Sequence, residues 1–575
     1  MNAIRFFLGP RGLSAAPVVL AIAAAASSEA QLCAQTMTLL RDLRSGPTGS
    51  FPADLFAYQQ HLYFVANNGS SGYEVWRSDG SSAGTTLVYD ANSGSLHGNP
   101  WGFASSAAVL WYQSFVASNT TGLILMDKSG RSVLRPANVL FERRSPAAAL
   151  PDGRYVFRSV VAPSRSAFVT DGTTFTSLGT AHPQEICAAG NYAYMLIQES
   201  SGCCSNVLAR SDGSRVEVVA RTGNGIDNTF ANLVPFGTRI ACIERFKSTE
   251  GFDVHNLIVQ GVPVAQLCSA TKADPSLPRA EFGSLTVVGS TIYARVIERS
   301  GSRLVAWTPR GFVAFPQVDV GIIAPIGDTK LLFRATDARG AELWVTDGTL
   351  AGTTFVADIQ SGPSSSLPRN YSTQAAISSR YAIFQADDGV HGNEPWISDG
   401  TASGTRMIKD LEPGAAGSSL ASNVVFAGGQ AFAAFSTTAT GPELYAIDFG
   451  ASSEYIPGGC GRATDPILSA SDPALGTTLR FGGQNAPSGI GVLVLGAPVV
   501  PGREYLPHCW LVVDPTRPLV TFGVGVLGGS FGLDLAVPND PSLSGVHLAA
   551  QGVFLDATAP EAFRWSNGVS LRLGR

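Results

Sequence analysis

The feature that most constrains this chain is that it repeats itself. "AELWVTDGTLAGTTFVADIQSGPSSSLP" at 341–368 returns as "NEPWISDGTASGTRMIKDLEPGAAGSSL" at 393–420 and as "YEVWRSDGSSAGTTLVYDANSGSL" at 73–96. Aligning the Asp of this phrase with its degenerate relatives gives Asp79, Asp127, Asp171, Asp212, Gln260, Pro309, Asp347, Asp399 and Asp448, nine units of about 46 residues each. A period of that size marks a supersecondary unit that cannot bury its own apolar face and must stack on its neighbours.

A second signal gives the same count. Some 13 to 20 residues before each of those positions stands a short apolar run rich in β-branched and aromatic residues: 61–66, 108–113, 154–159, 191–197, 239–244, 291–297, 330–335, 381–386 and 431–436. No stretch holds a sustained helical period. Each unit therefore reads as strand, Gly-containing turn, strand ("ELWVTDG"), tight turn ("GTLAGT"), strand ("TTFVADI"), and a Gly-Ser-Pro connection to one more. Four short strands in that length predict one blade of a β-propeller, and the whole an all-β propeller of eight or nine blades. Residues 37–43, "MTLLRDL", match the last strand of the unit but precede the first full one, while the final unit, "PELYAIDFG", lacks it. An N-terminal strand that closes the ring accounts for both.

From about Tyr455 the repeat stops. Alternating runs such as "TLRFGG", "IGVLVLG" and "SFGLDLAVP" predict a C-terminal β-sandwich. The expected organisation is a signal peptide at 1–30, a propeller at 31–454 and a sandwich at 455–575. The signal reading rests on Arg5 and Arg11, the small apolar run Leu13–Ala26, and a small-x-small site ending at Ala30. That run is shorter than the roughly 20 residues of a spanning helix, so no transmembrane helix is expected after its removal. The protein is placed as secreted or in the cell envelope, and as a monomer.

With 14% charged residues and a net charge of −5, the chain has no basic surplus for nucleic acid. Export puts its eight cysteines in an oxidising setting, where structural disulfides are expected. Cys460 and Cys509 stand apart in the C-terminal segment and are assigned to each other. The pairing of Cys33, Cys187, Cys203, Cys204, Cys242 and Cys268 is left open.

The strong units resemble the bacterial exported proteins named for an "ELWxxDGTxxGT" repeat. The match is complete at 342–353, has Pro395 for Leu at 394–405, and has Val75 and Ser81 for Leu and Thr at 74–85. The C-terminal segment resembles the terminal domain of many exported planctomycete proteins, on Cys460-Gly461, Cys509, the run Pro541, Leu543, Gly545, and the closing "SNGVSLRLG". The second likeness implies secretion or surface display. Neither implies a catalytic residue.

The chemistry-bearing residues of the repeat all have a structural reading. A calcium loop needs several oxygen ligands at alternate positions, whereas Asp-Gly-Thr suits a turn with Gly at positive φ and Asp capping the backbone. The pairs Asp79-Gly80, Asp171-Gly172, Asp212-Gly213, Asp347-Gly348 and Asp399-Gly400 are read this way. Trp76, Trp344 and Trp396 recur at one phase and read as wedges between blades, not as a sugar-stacking shelf. Glu74, Glu342, Glu394 and Glu443 also share a phase; they could supply the paired carboxylates of glycoside hydrolysis, but read better as hydrogen-bonding residues at strand edges. His97 and His391, each in "HGN", read as solvated or capping residues. No cofactor is expected. The function inferred is a non-catalytic scaffold or binding protein that meets an extracellular protein or glycan; the alternative is a secreted polysaccharide hydrolase or lyase with carboxylates at the channel.

Overall fold

The computed structural model describes residues 36–573 apart from short interruptions, the longest being 199–206, 270–280, 368–380, 457–464 and 538–546. Every regular element among these residues is a β-strand. The strands form nine antiparallel sheets in chain order, blades 1 to 9, spanning 53–89, 101–134, 140–177, 182–221, 229–269, 281–314, 318–357, 382–407 and 419–448. Blade 7 shows the pattern: Val318–Ile326, Lys330–Asp337, Gly340–Thr346 and Thr354–Ala357, each hydrogen-bonded to the next. Eight of the nine apolar runs picked out above fall on the second strand in a blade's hydrogen-bonded order, and that of blade 8 falls on Ala382–Asp387, the first of its three described strands.

Those runs are apolar without alternation because both faces of each sheet are covered. In blade 4, Ala193, Met195 and Ile197 pack on blade 3, while Tyr194 and Leu196 pack on blade 5. Nine such clusters join successive blades, and the last joins blade 9 to blade 1 through Val425, Phe432, Leu444, Leu55, Leu62 and Phe64. Phe64, Phe333 and Phe384 are fully buried in these joints, each stabilising by about 1.5–3 kcal/mol. No blade has a core of its own, so the sheets are stable only as a ring.

The ring closes with the N-terminal strand. Thr36–Leu39 lies antiparallel to Gly441–Asp448 as the outer strand of blade 9, pairing Thr36 with Asp448 and Leu39 with Tyr445. Leu40 extends the ladder by donating to the Leu444 carbonyl at 3.0 Å and enters the joint to blade 1.

The C-terminal strands form a sandwich. One sheet carries Ser452–Ile456, Phe563–Arg572, His547–Leu555, Gly489–Gly496 and Val520–Val526, in that order; the other carries Ile467–Ala470, Thr478–Gln484 and Phe531–Ala536. Leu479, Phe481 and Phe531 from the second meet Leu493, Val524, Phe554 and Leu571 from the first. Asn567 ties the layers, accepting from the Leu468 amide at 2.6 Å and donating to its carbonyl at 2.8 Å.

The expectation that every cysteine is oxidised does not hold. Cys187 and Cys242 carry free thiols. Cys242 is fully buried in the apolar joint of blades 4 and 5, where it acts as a small hydrophobe; burial pushes the Cys187 thiol up to about 11, away from the thiolate that exchange chemistry needs. Residues 1–30, expected to be a signal peptide, and Cys33, Cys203, Cys204 and Cys460 lie outside the described residues, as do the side chains of Cys268 and Cys509, so the expected Cys460–Cys509 pair falls there too.

Candidate functional site

Where the repeat phrase survives, the strand after the apolar run carries it from one rim of the ring to the other. Glu342 and Asp347 are separated by about 17 Å of strand, so the acids of the phrase serve opposite rims.

On the Asp rim, the repeat forms one small hydrogen-bonded unit. Asp347 Oδ1 accepts from the Thr349 amide at 2.9 Å and its hydroxyl at 2.7 Å. The same pair of bonds is made by Asp79 with Ser81, Asp171 with Thr173, Asp212 with Ser214 and Asp399 with Thr401. Gly348 sits at φ +93° and donates to Thr346 Oγ1 at 3.1 Å. The second half of the phrase locks on: Gly352 donates to Thr349 Oγ1 at 2.9 Å, and Thr353 donates its hydroxyl to the Thr349 carbonyl at 2.6 Å. These donors hold the Asp347 carboxyl below its usual range, the Thr349 hydroxyl acting most strongly.

Each of these turns also presses on the preceding blade. A Cβ on Gly80 would meet Gln430, one on Gly172 would meet Leu125 and Trp111, one on Gly213 Arg154, and one on Gly348 the Tyr293 hydroxyl. Gly400 lies likewise against Val345 and Ile326. Where Gln260 replaces the Asp, its amide donates to Tyr194 Oη at 2.9 Å, so the joint survives the loss of the motif.

The tryptophans lie inside these joints. Trp76 is buried between blades 9 and 1 and donates to the Ala66 carbonyl at 3.2 Å. Trp344 stands between blades 6 and 7, edge-on to Phe355 with ring centroids 5.7 Å apart, and Trp396 between blades 7 and 8. Both are half-buried, and neither indole N–H has a partner.

On the opposite rim, Glu74, Glu342, Glu394 and Glu443 are fully buried. Each accepts hydrogen bonds from the loop that leads to the next blade. Glu342 takes the Ile359 and Ser366 amides, both at 2.9 Å, and the Ser366 hydroxyl at 2.6 Å. Glu394 takes the Leu411, Glu412 and Ser418 amides at 3.0–3.1 Å and the Ser418 hydroxyl at 2.8 Å. Glu74 takes the Ala91 amide at 3.0 Å and the Gly98 amide at 2.6 Å. Glu443 has no such loop after its own strand; it takes the Ser50 amide at 2.8 Å and hydroxyl at 2.6 Å from the N-terminal segment, with longer bonds from Leu43 and Arg44.

This loop-holding role was missed in the sequence, although the signal was there. "SGPSSS" after Glu342 and "PGAAGSS" after Glu394 place a Ser 24 residues beyond the Glu, and "SGPTGS" at 45–50 is the same text displaced to the N-terminus. His391 pairs with Asp388 at 2.7 Å, and His97 Nδ1 accepts from the Tyr73 amide at 3.1 Å, so each imidazole holds local backbone or turn structure. Among the described residues no three His, Cys, Asp or Glu converge as a metal-binding set.

The class of molecule is thus a nine-bladed β-propeller, closed by its N-terminal strand and followed by a β-sandwich. No family model matches the chain, and no curated protein matches it. Solved structures similar to parts of it include a prolyl endopeptidase (12% identity, TM-score 0.34, 62% of this chain and 55% of that one). They also include the β-propeller domain of the Trilobed protease from Pyrococcus furiosus (11%, 0.28, 54% and 97%) and TolB from Acinetobacter baumannii (14%, 0.26, 46% and 66%). The chain thus spans little more than half the length of the endopeptidase.

Proposed function

We propose that this chain is an exported, non-catalytic propeller of the "ELWxxDGTxxGT" kind that presents loops to an extracellular protein or glycan, in the cell envelope or beyond it, with the sandwich serving retention or export. The observation that carries this reading is the use made of the repeat's acids. A general acid or nucleophile must reach its substrate. Glu74, Glu342, Glu394 and Glu443 instead have no exposed surface and are taken up by loop amides and hydroxyls. The Asp of each turn on the other rim is exposed or partly exposed, but its Oδ1 is occupied by the amide and hydroxyl two residues on. What those glutamates hold out to solvent is a row of small neutral tips, including Ser93–Leu96, Pro363–Ser365 and 413–416.

The test is to pass the purified protein, freed of its leader, over glycan and protein arrays, and to incubate it with a polysaccharide panel while following new reducing ends. Saturable binding without turnover is expected. Turnover that co-purifies with the protein and disappears in an acid variant would overturn the proposal.

A further inference from the structure

The four glutamate clasps are not equally supplied with donors. Glu342, Glu394 and Glu443 each receive a serine hydroxyl, from Ser366, Ser418 and Ser50. At the matching position Glu74 has Gly98, which offers an amide and no hydroxyl. Three residues before the glutamate, blade 7 has the Arg339 cation and blade 8 has His391, whose imidazole is pushed up first by its bond to Asp388; both bases feel the carboxylates of their own clasp, Asp358 with Glu342 and Asp410 with Glu394. Blade 1 has Ser71 there. Glu74 therefore has the poorest compensation for a buried charge.

Beside it stands a second carboxylate. The amide of Ala91 is bonded to Glu74 Oε2, which sets the preceding residue, Asp90, against the clasp. Asp90 Oδ2 accepts from the Gly94 amide at 3.2 Å, but Oδ1 is buried and has no partner. A buried acceptor without a donor costs about 1–3 kcal/mol. Two carboxyl groups in one desolvated corner remove that cost by keeping one proton between them. Oδ1 of Asp358 and of Asp410 is likewise buried without a partner, but there the glutamate receives a serine hydroxyl, from Ser366 or Ser418, that Glu74 lacks.

We propose that Glu74 and Asp90 share one proton, carried on the Glu74 carboxyl and donated to Asp90 Oδ1, so that the loop 90–98 is clasped by a single negative charge and loosens when the proton leaves. Deprotonation releases that one proton to solvent and leaves two facing carboxylates; nothing else is transferred. Burial raises Glu74 to about 7 and the Asp90 charge adds to the rise, against the opposing Ala91 and Gly98 amides. A folded-state value above the unfolded one means that the stability contributed by the neutral form is complete at low pH and is lost as pH rises through about 7. The other titratable groups near this corner are His97 and Tyr73, whose rings lie 5.3 Å apart, and Arg44, whose side chain lies against Gly69 in the preceding turn. The charge that acts on Glu74 is that of Asp90.

Hydrogen exchange of the Ala91 and Gly98 amides in the full chain tests this, with the Ile359 and Ser366 amides as the internal control. Corrected for intrinsic exchange, protection of Ala91 and Gly98 should fall several-fold between about pH 6 and about pH 9, and by more than that of the control pair, whose Glu342 is raised by burial but also receives a serine hydroxyl. Asp90→Asn supplies a permanent N–H donor and should hold protection level across that range, as should Glu74→Gln if the first variant folds poorly. Protection that is flat in the unaltered protein overturns the proposal. So does protection restored at high pH by added calcium, which would mean that a cation and not a proton holds the pair.

Discussion

An aspartate that accepts from the residue two places ahead does locally what a turn needs, and the glycine after it does what the neighbouring blade needs. Gly348 combines both constraints, with φ at +93° and a Tyr293 hydroxyl 3.1 Å from where its Cβ would lie. Gly352 has a different reason: its Cβ would fall 2.2 Å from the Asp347 carboxylate. Asp347→Ala should lower stability by about 1–2 kcal/mol through the two lost bonds, measured by chemical denaturation; Asp347→Asn, which keeps the acceptor, should lose less. Both variants differ from the unaltered protein in pH dependence as well. Because the folded Asp347 carboxyl lies below its ordinary value of 3.8, its contribution is present above that value and is lost as pH falls through the folded one. The Asn variant should lack this acid-side loss.

At the level of strands and loops, the blades were legible because two independent periods agreed on nine, and because strands covered on both faces must read as apolar runs. Blades 2, 5 and 6 kept that apolar signal after losing the Asp-Gly turn, as Gln260 shows. The glutamates were harder to read. Their partners are mainly backbone amides, which leave no mark on composition, and only the serine 24 residues on betrays them. Cys242 goes against expectation because compartment argues for oxidation while the joint between blades 4 and 5 needs only small apolar volume there. Glu342→Ala should strand the buried Ile359 and Ser366 donors and cost about 3 kcal/mol. Exchange protection should fall across 358–366 before it falls in the strands of blade 7. A uniform loss throughout the blade would mean that the carboxylate supports the sheet and not the loop.

On the scale of the whole molecule, closure concentrates in one short segment. The four blades with a glutamate clasp, 7, 8, 9 and 1, are consecutive around the ring although they come from opposite ends of the sequence, and residues 36–50 are what makes them so. That segment supplies the outer strand of blade 9, puts Leu40 into the joint to blade 1, satisfies Glu443, and donates from Arg41 to the Thr85 carbonyl at 3.2 Å. Removing residues 1–35 touches none of these contacts and should leave the melting temperature of the propeller unchanged. Removing residues 1–50 exposes the edge of Gly441–Asp448, leaves Glu443 buried without its donors, and frees the outer side of blade 9. A loss of several kcal/mol is expected, since an unpaired buried charge adds to the lost ladder. Exchange should show the loss first in 430–448 and 53–66, the two flanks of the break, with blades 3 to 6 following, because each joint depends on the next. The sandwich has its own core and should unfold at its former temperature. A synthetic peptide of residues 36–50 added in trans should restore protection to Gly441–Asp448. The same peptide with Ser50→Ala, which keeps the strand but loses the hydroxyl to Glu443, should restore it less well; equal rescue by the two peptides would show that the ladder alone closes the ring.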